Sequence, residues 1–198
     1  SLNQNMQMCL NLFQAAHRAG VNKIVFASSV HAYCGIRKNQ TSVNEKVVPY
    51  LPLDGDVPAT SASYYGLFKS MAEQMLGFYA RVEGMTTFSL RLPLLVTDVL
   101  AARKTREARP VTDLTRALGF SYLTYADSAR LVVDCLKSDL KGHRTYLPAS
   151  KQRLHDGSVA QIIEQYYRDI PLRRPVDQMD CLVDISQIEK ETGWQPLD

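Results

Sequence analysis

Hydrophobic and polar positions along the chain switch between a helical and a strand period. In "NMQMCLNLFQAAHRAG", Met8, Leu12, Ala15 and Ala16 recur at helical spacing, and Gly20 follows as a C-terminal cap. "KIVFAS" is short, nearly continuously apolar and rich in β-formers, which predicts a strand buried on both faces, as in a parallel sheet. Residues 34 to 60 are polar and carry Pro49, Pro52, Gly55 and Pro58, so they predict a long surface excursion. From Ser63 to Val82 the apolar residues Tyr64, Leu67, Phe68, Met71, Met75, Leu76 and Tyr79 keep the spacing of an amphipathic helix. "TTFSLRLP" predicts another strand. The order helix, strand, long loop, helix, strand predicts right-handed crossovers and a parallel α/β sheet.

The second half is less regular. Residues 94–119 predict loop and broken helix, "SYLTY" and "RTYLPA" short strands, and "SARLVVDCL" a helix capped by Asp127. Ser158 to Arg168 predicts an amphipathic helix with Val159, Ile162, Ile163 and Tyr166 on one face. Asp184 with Gln187 resembles a capping box opening "ISQIEKET", which Gly193 closes.

Composition narrows the class. A chain of 198 residues, 45% hydrophobic, suits one ordinary domain, with or without a small appendage. No run approaches the roughly 18 apolar residues that would span a membrane, and no export signal opens the chain, so a cytoplasmic protein is expected. Cys9, Cys34, Cys135 and Cys181 are scattered and predict buried reduced thiols. The net charge of +3 is mild. The densest basic stretch, "RKTREAR", holds no aromatic residues and reads as a solvated loop; nucleic acid is not expected as a partner.

Candidate chemistry sits in "SASYYGLFKSMAEQ". Tyr65 and Lys69 are four residues apart and lie one above the other on a helix, whereas Tyr64 pairs with Phe68 and belongs to the apolar stripe. A neighbouring ammonium favours phenolate and lowers a tyrosine from its usual pKa of about 10. Such a tyrosine moves a proton at an alcohol or carbonyl. A single Y-x-x-x-K match also arises by accident. The strand "KIVFAS", however, runs into "SVHAYCG", and a serine pair at the C-terminal end of a parallel strand sits where open α/β sheets bind ligands. Ser29 there can hydrogen-bond the oxygen that Tyr65 protonates; the plainer reading of Ser28 and Ser29 is strand-end capping.

Taken in order, these segments resemble the extended short-chain dehydrogenases/reductases, also called NAD-dependent epimerases/dehydratases. "NMQMCLNLFQAAHRAGVNKIVFASS" is similar to the family's helix and strand leading to the catalytic serine, "SVHAYCG" to its S-x-x-x-Y-G segment with Cys34 interposed, and "YYGLFKSMAEQML" to its Y-G-x-x-K-x-x-x-E pattern. "SLRLP", "YADSARLVVDCL" and "DISQIEKETGWQP" resemble later family segments, so the likeness runs from Asn5 to Pro196. It implies a partial Rossmann-like parallel sheet with a small C-terminal α+β portion: residues 1–93 as part of a dinucleotide-binding domain and 94–198 as a mixed substrate-binding region with interleaved sheet elements. It implies Tyr65 as general acid/base, Lys69 as the residue that holds the nicotinamide ribose and tunes Tyr65, Ser29 as a substrate contact, and Pro93 beside the nicotinamide. The implied cofactor is NAD or NADP. Asn5 stands where relatives carry a helix asparagine.

The family opens with a strand, a Gly-rich turn and a helix whose N-terminus receives pyrophosphate. Here no G-x-G or G-x-x-G occurs, and the closest of the ten glycines, Gly77 and Gly84, are seven residues apart. The chain therefore reads as a C-terminal two-thirds of such an enzyme, with nicotinamide affinity expected to be poor, and "KIVFAS" is expected to present an open edge that a partner, including a second copy in a homo-oligomer, would cover. Dehydratase relatives place Asp-Glu after the catalytic hydroxyl, where this chain has Val30 and His31; epimerases carry an asparagine after the L-R strand, where it has "LRLPLLV". Serine followed two later by histidine resembles uronate dehydrogenases, which implies His31 as a contact to a sugar acid, although a structural histidine fits equally. Arg103 and Arg106 read as solvated surface before substrate ligands. The expected activity is oxidoreductase or epimerase chemistry on a sugar, sugar acid or small hydroxy/keto substrate. A non-catalytic binding or regulatory member of the fold is the alternative, favoured by the absent phosphate loop and disfavoured by the trio Ser29, Tyr65 and Lys69.

Overall fold

The computed structural model describes residues 1–34, 48–108 and 110–197, without the side chains of Arg106 and Ala108. Much of the polar excursion after Cys34, and Arg106 as an anion contact, lie outside the described residues.

Helix α1 (Leu2–Arg18) opens with a capping box in which Ser1 and Gln4 satisfy each other's backbone N–H groups. Its last turn passes into Gly20, whose φ of +75° suits a residue without a Cβ. Strand β1 (Lys23–Ser29) follows and ends in a 3₁₀ turn (Val30–Ala32). Helix α2 (Tyr64–Val82) is capped by Ser63, whose side chain accepts from the Gly66 N–H. Strand β2 (Thr86–Leu92) pairs parallel with β1, Lys23 opposite Thr86 and Ser29 opposite Leu92. Beyond β2 come β3 (Leu94–Val96), α3 (Val99–Ala108), α4 (Asp113–Ala117), β4 (Tyr122–Thr124), α5 (Tyr125–Lys137), β5 (His143–Tyr146), α6 (Val159–Tyr166) and α7 (Ser186–Thr192).

The α/β class and the parallel pairing stand as expected. One sheet runs β1-β2-β5 and a second pairs β3 with β4, all parallel. Among the described residues β1 has β2 as its sole strand partner, so its other edge is open, and Lys23–Phe26 are half-buried rather than buried on both faces as the apolar run predicted. The later part of the expected surface excursion is instead core: Leu51 and Leu53 are fully buried and bridge to Leu172 and Val183. Phe88 and Leu90 of β2, Tyr146 of β5, Phe120, Leu123 and Trp194 meet in the main core. Trp194 is fully buried and donates its indole N–H to the Asp127 carbonyl at 3.0 Å, locking the chain's end to α5.

Several local expectations are corrected. The inner face of α1 is Cys9 and Phe13, while Met8 and Leu12 are 60% and 61% exposed. In α2 the inner face is Phe68, Ala72, Leu76 and Tyr79, while Tyr64 is 79% exposed and Leu67 and Met71 also face outward. Each helix carries two apolar stripes, and periodicity does not say which one meets the sheet. The cap of α5 is Thr124; Asp127 sits inside the first turn, buried, where it binds Arg130 and the Leu197 N–H. Helix α7 starts after Ile185 with no side-chain cap, although Asp184 accepts from the Ser186 N–H. Most of "RKTREAR" is helical, within α3, rather than loop. Among the described residues no disulfide forms; Cys9, Cys34 and Cys135 are buried and Cys181 is half-buried. Among the described residues no helix is long and apolar enough to cross a membrane, and no cluster of side chains suits a metal ion.

Candidate active site

Parallel pairing brings the C-terminal ends of β1 and β2 together, so Ser29 stands opposite Leu92 and Pro93 follows at the same edge. Pro93, which lacks an N–H, separates β2 from β3 and is buried. The first turn of α2 docks against this edge. Gly66 makes the approach possible: a Cβ there would lie 2.0 Å from the His31 carbonyl oxygen and 2.2 Å from Ser61 Oγ. The adjoining segment is fixed by Thr60, which donates to the Tyr33 carbonyl at 2.7 Å, and by the Ala62 N–H, which donates to the Cys34 carbonyl at 3.2 Å.

Within this edge the predicted residues come together. The rings of His31 and Tyr65 meet edge to face, with centroids 5.8 Å apart and planes at 75°. Ser29 is buried, and its Oγ accepts the His31 N–H at 3.2 Å, so the serine caps the 3₁₀ turn while its own hydroxyl hydrogen remains to donate. Tyr65 is 49% exposed, at the rim rather than in the core. Lys69 lies one turn on, its Nζ 5.5 Å from the Tyr65 ring centroid and 4.8 Å from that of Phe26. That ammonium donates to the Ala27 carbonyl at 2.6 Å, which ties the helix to the strand two residues before Ser29. Burial pushes the Lys69 ammonium below its usual range, opposed by Cys9 and Glu73. Burial also lowers His31, which keeps its imidazole neutral at neutral pH.

The other candidates fall elsewhere. Arg103 is exposed on α3, and Asn5 lies on the first turn of α1. One pairing escaped the sequence reading, although Glu73 closes the Y-G-x-x-K-x-x-x-E pattern and Arg91 lies in "SLRLP". Glu73, two turns beyond Tyr65 on the same face of α2, forms a buried ion pair with Arg91 of β2 at 2.8 Å, their side chains 7% and 6% exposed. The alternation in "TTFSLRL", polar at Thr87, Ser89 and Arg91 and apolar between them, carried the signal for a charge on the helix-facing side. A cavity of about 260 Å³ lined by Leu94, Leu114, Leu118, Phe120 and Leu154 opens beside α4. It contains none of Ser29, His31, Tyr65 and Lys69, and the sheet edge rather than this cavity holds the groups suited to proton transfer.

For a nicotinamide cofactor the edge offers one end of a site. Tyr65 and Lys69 carry the hydroxyl and ammonium that could meet a ribose, and Pro93 closes the same edge. The glycines approached most closely, Gly55 and Gly66, face the backbone carbonyls of Thr145 and His31 and hold protein against protein. Among the described residues no glycine cradle receives a pyrophosphate.

Comparison with known proteins agrees with the fold and the order of these segments. Residues 1–118 match the family model described as NAD dependent epimerase/dehydratase family. Uronate dehydrogenase of Pseudomonas syringae pv. tomato is 32% identical over 117 residues, 59% of this chain and 38% of that protein; uronate dehydrogenase of Pseudomonas putida is 31% identical over 91 residues, 46% and 30%. The chain thus spans well under half the length of these curated relatives. Among solved structures, a UDP-galactose 4-epimerase superposes with a TM-score of 0.62 at 21% identity, covering 100% of this chain and 65% of its own. Uronate dehydrogenase from Agrobacterium tumefaciens, in a complex with NAD, superposes with a TM-score of 0.59 at 20% identity, covering 96% and 52%. The chain belongs to the NAD-dependent epimerase/dehydratase family.

Proposed function

We propose that this chain carries the proton-transferring portion of an NAD(P)-linked oxidoreductase acting on a sugar acid of the uronate type. The observation that carries the reading is the packing of His31 on Tyr65, with Ser29 capping the same turn and Lys69 one helical turn away. The likeness to uronate dehydrogenases over 117 residues supports the substrate class.

The roles follow from the chemistry of the groups. The Tyr65 Oη, as phenolate, takes the proton of the substrate hydroxyl and becomes the phenol, and the Lys69 ammonium stabilises the phenolate from which the step starts. The carbonyl of Ala27 fixes that ammonium at 2.6 Å, so it is oriented before substrate arrives. Ser29 donates to the reacting oxygen with the hydroxyl hydrogen that its bond to the His31 N–H leaves available. His31, neutral, offers one ring N–H to the substrate carboxylate. Bound nicotinamide supplies the hydride acceptor; Lys69 would hold its ribose and Pro93 would flank the ring.

A second reading is supported by the sequence itself. No G-x-G or G-x-x-G occurs, which favours a non-catalytic binding or regulatory member of the fold. The test is absorbance at the NADH band with the purified chain, a uronate and NAD or NADP, beside fluorescence titration with NADH. Turnover of the uronate only at high NAD or NADP concentration is the expected result, since among the described residues no glycine cradle holds the pyrophosphate. Binding without turnover is what the second reading predicts, and absence of turnover overturns the oxidoreductase reading.

A further inference from the structure

Beneath the site lies a polar cluster with no part in the roles above. Glu73 Oε1 accepts from Ser28 Oγ at 2.5 Å and from Arg91 Nε at 3.1 Å, and Glu73 Oε2 accepts from an Arg91 terminal nitrogen at 2.8 Å. The other terminal nitrogen of Arg91 donates to the Val57 carbonyl at 2.6 Å and to the Gly55 carbonyl at 3.3 Å. The guanidinium also sits 5.8 Å from the ring centroid of Tyr33. Every acceptor of the carboxylate and every nitrogen of the guanidinium is engaged, in a pocket without charge to spare.

The position of the cluster is informative. Ser28 is bonded to Ser29. Glu73 shares a helix face with Lys69 and Tyr65, at successive four-residue steps. Arg91 precedes Pro93 by two residues, and Tyr33 follows the turn that carries His31. One ion pair therefore touches every chain segment that delivers a group to the site. Energetically it is a poor way to stabilise a fold, because desolvating two charges offsets their attraction and apolar replacements of similar volume are often neutral or better. Proton transfer, by contrast, is sensitive to placement: a misplacement of about 1 Å can cost about a hundredfold in rate.

We propose that Glu73 and Arg91 are positioning residues, which hold α2 against the ends of β1 and β2 so that the Tyr65 phenol faces His31 and Ser29. This rests on the oxidoreductase reading only for its kinetic consequence, since the geometric consequence is read without turnover. The test uses the full chain carrying Glu73→Leu with Arg91→Met, which removes both charges together. Melting reports the fold, and the imidazole resonance of His31, assigned with His31→Gln, reports the nearby Tyr65 ring. Tyr65→Leu in the otherwise unchanged chain gives the resonance position with that ring gone.

The expected result is a folded double variant whose His31 resonance moves toward the Tyr65→Leu position, with uronate turnover down about a hundredfold and KM little changed. A folded double variant that keeps the wild-type His31 resonance and turnover overturns the proposal. If the double variant does not fold, Ser28→Ala decides, since it cuts the link to β1 and leaves the ion pair intact: displacement of the same resonance supports the proposal and an unmoved resonance overturns it. A Tyr65→Leu that leaves His31 unmoved overturns the site geometry itself. Turnover that survives Tyr65→Phe overturns the oxidoreductase roles and leaves the resonance test standing.

Discussion

The imidazole of His31 rests edge to face on the phenol ring of Tyr65, 5.8 Å between centroids, and this contact joins the end of a strand to the start of a helix more than thirty residues later. It places a neutral donor beside the group assigned to move the proton. Replacing His31 by Gln retains a donor but moves it. The KM for a uronate is expected to rise about tenfold, the value of one hydrogen bond to a charged group, with kcat changed less. Steady-state kinetics with a uronate and with the corresponding neutral sugar checks it: the loss belongs to the acid alone. An equal loss on both substrates removes His31 from the substrate contact.

Gly66→Ala tests the docking of α2. Alanine is favoured over glycine in a helix by about 1 kcal/mol, so an unconstrained site would gain stability. Here the added carbon meets a backbone carbonyl at 2.0 Å. A net loss of about 1–3 kcal/mol is expected in urea denaturation, as for overpacked sites, and a gain would mean that the helix stands off the turn.

Helix α2 also shows how far the sequence could be read. Four-residue spacing identified Tyr65 and Lys69 as a pair, because that relation depends on the helix alone. It did not identify Tyr64 as outward-facing, because Leu67 and Met71 continue an apolar stripe through it and only the sheet decides which stripe is buried. The same ambiguity misplaced Met8 and Leu12 in α1. The parallel sheet was legible from its apolar runs, and Ser29 from its place at a strand end. The pairing of Glu73 with Arg91 was not, since it spans eighteen residues and depends on how a helix lies over a strand.

Stability should depend on pH through two half-buried histidines. Burial lowers His31, and burial lowers His143, reinforced by Arg144 and Arg91 and opposed by Glu73. His143 sits with Nδ1 2.8 Å from Thr87 Oγ1 and Nε2 3.1 Å from Thr145 Oγ1. A base whose folded pKa is depressed binds fewer protons folded than unfolded. Stability is therefore complete above the unfolded value of about 6.5 and falls as pH drops below it, until the folded pKa is passed. Urea midpoints at pH 7.5, 6.5 and 5.5 should decrease in that order, and His143→Gln should flatten the dependence. A midpoint that rises on acidification contradicts the assignment.

Tyr33 offers a stability test free of charge effects. Its ring is buried, and its hydroxyl has no hydrogen-bond partner among the described residues. A buried polar atom left unpaired costs about 1–3 kcal/mol, so Tyr33→Phe is expected to raise stability by about 1 kcal/mol. Calorimetry or urea unfolding reads it directly, and a loss of that size would show that the hydroxyl is bonded.

The phenol of Tyr65 carries the central claim, and Tyr65→Phe removes one oxygen from a half-exposed ring. Initial rates of NAD(P)-linked uronate oxidation, measured side by side with wild type, are expected to fall by about 10²–10⁴-fold, the usual weight of general acid/base catalysis, while the melting curve stays in place. A variant that keeps wild-type rates would contradict the account, because the proton would then leave by another group.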